Sequence, residues 1–221
     1  LIYNELDSGF VSASIITIIF GILFFLSNLD HDKNIDLPQA FILTALSWLS
    51  IALFGSLPFI FSELNLSFTD AFFESMSGIT TTGSTILINI DDAPKGILLW
   101  RAILQWLGGI GIILMAITLM PIMNIGGMQL FKISSNDNAE KILPKSKEVS
   151  IRLIVIYSIL TFTCAIFYKL FGMNYFDSLT HSMTTIATGG FSNYNDSIGH
   201  FNNALIEINA VIFIILGSIP F

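Results

Sequence analysis

The sequence predicts an all-α polytopic membrane protein built on a repeated span–half-helix–span unit. Three observations carry this. Of 221 residues, 53% are hydrophobic and 11% charged, with a mean hydropathy of +0.77, whereas a soluble domain carries about a quarter charged residues. The apolar residues fall in runs of about 17 to 25, long enough to cross a hydrocarbon core of roughly 30 Å as helices. A short polar stretch between two such runs, SMSGITTTGST at Ser75–Thr85, recurs as SMTTIATGGFS at Ser182–Ser192, an offset of 107 residues. At that offset Asp70 meets Asp177, Ile79 meets Ile186, Thr81 meets Thr188 and Gly83 meets Gly190.

In chain order, Phe10–Leu26 is a first span with Ser12, Ser14, Thr17 and Gly21 as small residues, and Asn28–Asp36 is a polar break. Leu37–Phe61 is a second span, with Pro38 in its first turn, where a missing N–H costs nothing, and Pro58 placed to kink its far end. Ser67–Gly78 reads as a half-helix. Ser67 and Asp70 have the layout of a capping box, with Asp in place of Glu or Gln, and Phe68, Phe72 and Met76 recur at spacing four on one apolar face. Twelve residues reach only about 18 Å, so this helix enters the membrane without crossing it. Irregular backbone at that depth is tolerated only where it is buried or lines a watery cavity. Ile97–Met120 is a third span, ended by Pro121, and Ile151–Phe171 a fourth. Asn174–Ile186 repeats the half-helix, with Asn174 and Asp177 as N-cap and third residue, and a fifth span opens at Ala204. The domains follow: 1–36, an extra helix and inner loop; 37–121, the first repeat; 122–150, a polar connection; 151–221, the second repeat. The chain begins at Leu1 rather than Met and ends inside an apolar run at Phe221, so it is expected to be a piece of a longer one.

Charge sets the orientation. Lys132, Lys141, Lys145, Lys147 and Arg152 hold five of the nine basic residues, which places the 122–150 connection in the cytoplasm. The half-helix regions carry Glu63, Asp70, Glu74, Asp91, Asp92, Asp177 and Asp196 against Lys95 alone, and fall on the outer face. A net charge of −7 with no basic patch gives no partner in nucleic acid. Cys164 lies alone in an apolar run, which excludes a disulfide framework within the chain and reads as a small buried apolar residue. His31, His181 and His200 are scattered, without a second ligand at i+3 or i+4, so neither a catalytic metal nor a cofactor is indicated and the chain does not read as an enzyme.

A dehydrated monovalent cation needs several oxygen ligands and no covalent chemistry, which inward-facing backbone carbonyls supply. Gly83, Gly189 and Gly190 permit the unusual backbone this requires. Thr80, Thr81, Thr82 and Thr188 offer hydroxyls to an ion or to brace the loop. Each half-helix ends at its loop, so its partial negative charge favours a cation there. The acidic outer loops add to that attraction, screened by salt.

Here the residues carry a resemblance. FFESMSGITTTGSTI, WRAILQWLGGIGII, GGMQLFK and FDSLTHSMTTIATGGFSNYNDSIGHF together resemble the TrkH branch of the TrkH/KtrB potassium transporter superfamily over nearly the whole chain. The resemblance implies a potassium-channel-like pore of four linked span–pore-loop–span units, of which this chain carries two behind the second of two extra helices. It implies potassium uptake across the plasma membrane, in bacteria the cell inner membrane, with potassium itself as the bound ion. The implied filter ligands are Thr81, Thr82 and Gly83 in the first loop and Thr188, Gly189 and Gly190 in the second, with Thr80 and Ala187 beside them. With one obligatory glycine per loop, selectivity for potassium over sodium is expected to be weaker than in a TVGYG filter. The implied partners are the lipid bilayer, a second copy in a homodimer and a cytosolic nucleotide-binding subunit of the TrkA kind. Channel-like flow and symport coupled to protons or sodium both remain open.

Glu74 and His181 occupy matching half-helix positions, where either ion coordination or buried hydrogen bonds that hold the loops would place them. Asp70 and Asp177 read as caps. Arg101 either snorkels outward or pairs with an acid such as Glu74. Gly108, Gly109 and Gly111 read as close helix packing or a hinge rather than a phosphate loop. Two other function classes stand beside transport. One is a non-conducting accessory or remnant half-pore, which ion flux through the chain discriminates. The other is a membrane-embedded enzyme, which a stoichiometric metal would revive.

Overall fold

The computed structural model describes residues 8–29, 37–123 and 142–219, without the side chains of 37, 116–123 and 142–147. Gly126, Gly127 and Met128, with His31, Lys33, Lys132 and Lys141, lie outside the described residues, as do the side chains of Lys145 and Lys147. Among the described residues the chain is helical without strands. α1 (Ser8–Ser27) and α2 (Leu37–Gly55) are long and apolar. A single turn, α3 (Leu57–Ile60), precedes the first half-helix, α4 (Phe68–Ile79). α5 (Lys95–Met123) and α6 (Ile142–Leu170) are the longest elements, followed by the second half-helix, α7 (Tyr175–Ile186), and α8 (Ala204–Ser218). Among the described residues four stretches, Ser8–Ser27, Pro38–Ile60, Lys95–Met115 and Glu148–Leu170, are long and apolar enough to cross a membrane. Ala204–Ser218 is a shorter apolar helix.

The expected second span stays one apolar stretch, Pro38–Ile60, with a local interruption near Pro58 as expected. Pro58 has no N–H to give the preceding turn, and the helix parts at Ser56, whose Oγ donates to the Leu53 carbonyl at 2.6 Å. Trp100 Nε1 reaches across from α5 to the freed Gly55 carbonyl at 2.9 Å. Pro121 does not end the third span: α5 runs through it to Met123. α6 starts at Ile142, nine residues before the apolar run that predicts it, because helix continues into the polar connection.

The apolar bulk lies in two clusters. Phe59, Ala71, Ile97 and Leu104 fill the first repeat. Ile110, Tyr157, Cys164, Tyr168, Met173, Ile186, Ile206, Ala210 and Phe213 fill the second. α5 contributes to both, and half of its apolar stretch is buried against 11% for α1. α5 is thus the wall the two repeats share. α1 lies outside, with Phe10 edge-on to Trp100 and Phe20 against Phe54. Its Ile18, Phe24 and Phe25 are exposed, as are Phe162 and Ile166 on α6. Large apolar side chains laid open along whole helices are the surface a bilayer covers, since lipid tails are as apolar as leucine.

Candidate functional site

Both half-helices start from the same cap. Ser67 Oγ accepts the Asp70 N–H at 3.2 Å and donates to Asp70 Oδ2 at 2.7 Å. Asn174 Oδ1 accepts the Asp177 N–H at 2.8 Å, and its Nδ2 donates to Asp177 Oδ2 at 2.6 Å. The third residue's carboxylate thus answers the cap side chain rather than the cap's own N–H. Asp177 is buried and also accepts from Asn193 Nδ2 at 2.7 Å and the Tyr194 hydroxyl at 2.8 Å. Burial, then the bond to Asp177, push the Tyr194 phenol up to about 12, so it remains a donor at neutral pH. Ser67→Ala and Asn174→Ala are each expected to cost about 1 kcal/mol of stability. The loss should be larger at Asn174, whose partner is buried; equal melting temperatures for wild type and both variants would contradict the capping account.

Both half-helices also end alike. The Thr81 N–H donates to the Gly78 carbonyl and the Thr82 N–H to that of Ser77, each at 3.0 Å. One repeat later the Thr188 N–H donates to Thr185 and the Gly189 N–H to Thr184, again at 3.0 Å. This is the paired closure of a Schellman motif. The left-handed position usually taken by glycine holds threonine: φ is 55° at Thr81 and 53° at Thr188. A β-branched residue there is an outlier, costing about 1–2 kcal/mol. Gly83 and Gly190 follow at φ 79° and 81°, with Thr82 and Gly189 between them outside the positive-φ region. Thr80 and Ala187 are the C-caps. The two loops therefore carry the same alternation of handedness, and they touch: a Cβ on Gly83 would collide with the Gly189 carbonyl oxygen.

Glu74 and His181 brace the loops at matching points. Glu74 accepts from Thr85 Oγ1 at 2.8 Å and from the Ile86 N–H at 3.1 Å. His181 Nε2 lies 3.1 Å from Ser192 Oγ, one repeat beyond Thr85, and its Nδ1 lies 3.0 Å from the Asp177 carbonyl. Arg101 does not snorkel outward. Its Nε donates to Glu74 Oε1 at 2.8 Å, its Nη1 to the Ser192 carbonyl at 2.9 Å, and its guanidinium sits over the Phe191 ring at 4.1 Å. One buried cation thus ties the first half-helix to the second loop.

Arg101 heads a stripe on α5. One turn on, Gln105 accepts the Phe191 N–H at 3.1 Å. A further turn on, a Cβ on Gly108 would collide with the Ile79 carbonyl, and one on Gly109 would stand 3.0 Å from Ala187 Cα. These glycines let α5 lie against the ends of both half-helices, which is close packing rather than anion binding. Gly217 of α8 repeats the contact: a Cβ added there would fall 2.6 Å from the Ile186 carbonyl oxygen. Sequence reasoning missed Gln105 and the Asn195–Asp91 clamp between the segments that follow the two half-helix loops, where Asn195 Nδ2 donates to Asp91 Oδ2 at 2.7 Å. The signal for Gln105 was its polarity one turn from Arg101 in an apolar run. Among the described residues no group of three or more His, Cys, Asp or Glu could hold a metal ion.

An all-helical multi-pass chain with a duplicated half-helix and loop defines a class of membrane protein, and comparison places this chain within it. The TrkH family model, described as a cation transport protein, matches residues 7–221, and the chain belongs to that family. It is 42% identical over 216 residues to a Trk system potassium uptake protein TrkH of Halomonas elongata, covering 96% of this chain and 45% of that one. It is 39% identical over 224 residues to TrkH of Escherichia coli strain K12, covering 99% and 46%. The crystal structure of the potassium transporter TrkH from Vibrio parahaemolyticus superposes with a TM-score of 0.85 at 36% identity, over 97% of this chain and 43% of that one. The chain thus spans less than half the length of these relatives.

Proposed function

We propose that the two loops are part of the ion filter of a potassium-uptake protein, with backbone carbonyls of Thr81, Thr82 and Gly83 and of Thr188, Gly189 and Gly190 as ligands. One observation carries the reading: the same left-handed break closes both half-helices, and the two broken stretches lie against each other at Gly83 and Gly189. A backbone alternating in handedness turns its N–H groups to one side and its carbonyls to the other. Here the N–H groups of Thr81 and Thr82 are spent on the half-helix, which leaves the carbonyls for a cation. The half-helix C-termini add partial negative charge at the same place. Glu74, His181 and Arg101 then hold the loops rather than touch the ion, since their polar atoms are committed to protein partners. The relatives' names, Trk system potassium uptake protein, support the potassium-uptake part of the reading.

The loops face outward and the 122–150 connection faces the cytoplasm, where a nucleotide-binding regulatory subunit would meet it. A filter ring takes further loops, from the rest of a longer chain or from a second copy. The test is uptake of radiolabelled rubidium by the full-length protein in liposomes. The reading expects uptake that potassium suppresses and sodium suppresses less. Absence of uptake in either orientation would put the accessory half-pore ahead.

A further inference from the structure

Gln105 has a place in α5 that packing alone does not explain. Its side chain is fully buried, and its orientation is fixed because Oε1 accepts the Phe191 N–H at 3.1 Å, which an amide nitrogen cannot do. That leaves Nε2 buried without a hydrogen-bond partner. A buried donor left unpaired destabilises the fold. Nε2 lies in the seam between the two loops: a Cβ on Gly189 would stand 2.7 Å from it, and one on Gly83 3.7 Å. Gly189 has no room for a side chain because the Gln105 amide is packed onto it, and its carbonyl in turn abuts Gly83. Gln105, Gly189 and Gly83 thus form a line without slack, from the shared wall through the second loop to the first.

We propose that Gln105 is a positioning residue that sets the gap between the two loops and, through it, the discrimination between potassium and sodium. The inference rests on the filter reading above. The spacing of carbonyl ligands is one of the properties by which such filters distinguish ions. A wedge that fixes the second loop against the first fixes that spacing without touching the ion. Its buried, unpartnered donor is tolerated because the surrounding packing over-determines it, as at other functional positions held away from their local optimum.

The experiment compares rubidium and sodium uptake by the full-length protein carrying Gln105→Met or Gln105→Glu. Met keeps the volume but loses the anchor to Phe191; Glu keeps both volume and acceptor. Gln105→Met is expected to lower the rubidium-to-sodium ratio about tenfold while rubidium uptake persists, and Gln105→Glu to restore most of it. A Met variant with the wild-type ratio overturns the inference. Should Gln105→Met not assemble, Gly189→Ala carries the test. Alone it is expected to lose uptake because its Cβ meets Gln105, and Gln105→Ala added to it is expected to recover uptake. No recovery overturns the inference. Wild-type protein without rubidium uptake is a different failure, that of the filter reading itself.

Discussion

Gly83→Ser in the full-length protein is expected to cut rubidium uptake by at least about tenfold, a factor equivalent to about 1.4 kcal/mol. Two effects add at this residue. Its φ of 79° lies in the left-handed region, where a side chain costs about 1–3 kcal/mol. A Cβ there also collides with the Gly189 carbonyl oxygen, so the second loop must move with the first. Gly190 isolates the first effect. Its φ is 81°, yet a Cβ would meet nothing within 4 Å. Gly190→Ser should therefore do less damage than Gly83→Ser. Uptake assays on the two variants check the order; equal wild-type uptake in both contradicts the filter reading.

Arg101→Leu is expected to destabilise the protein by about 3–5 kcal/mol, the usual penalty for breaking a buried ion pair by removing one partner. Glu74 and Arg101 are almost completely inaccessible, at 0% and 1% exposure. The Glu74 carboxylate keeps Thr85 and Ile86 as partners but loses its counter-charge. The Ser192 carbonyl and the Phe191 ring lose theirs as well. Arg101→Lys should recover little, because an ammonium cannot serve Glu74 and Ser192 from one rigid fork. Removing both charges in Arg101→Leu with Glu74→Leu should recover part of the loss. Thermal unfolding in detergent measures all three, and an unchanged melting temperature in Arg101→Leu contradicts the account.

The elements that local chemistry dictates were legible in the sequence. Ser67 and Asn174 sit where N-caps belong, and apolar runs followed by Thr/Gly loops mark where each half-helix stops. The repeat adds a second reading of every position, which is how Glu74 and His181 stand out as equivalents. Three features were not legible, each for a physical reason. The spacing of Phe68, Phe72 and Met76 marks an apolar face on α4 but not which face is sheltered: Phe68 is exposed, and Glu74, Ser75 and Ser77 are buried. In a half-helix surrounded by membrane helices the polar face is the one that must be sheltered, which inverts the soluble pattern. The threonines at positive φ could not be foreseen, because propensity argues against them and the tertiary packing of the loops outweighs it. Pairing with Glu74 was one of the two expectations for Arg101, but its bond to the Ser192 carbonyl, 91 residues away in sequence, was not foreseen. No local pattern encodes such a separation.

The claim that backbone carbonyls of these two loops hold the ion is tested most directly by crystals of the full-length protein grown in rubidium. Anomalous scattering locates the ion independently of the protein. The account predicts a peak between the two loops, within coordination distance of carbonyl oxygens from Thr81–Gly83 and from Thr188–Gly190. A peak held by the Glu74 or Asp177 carboxylate instead, with none between the loops, would contradict it.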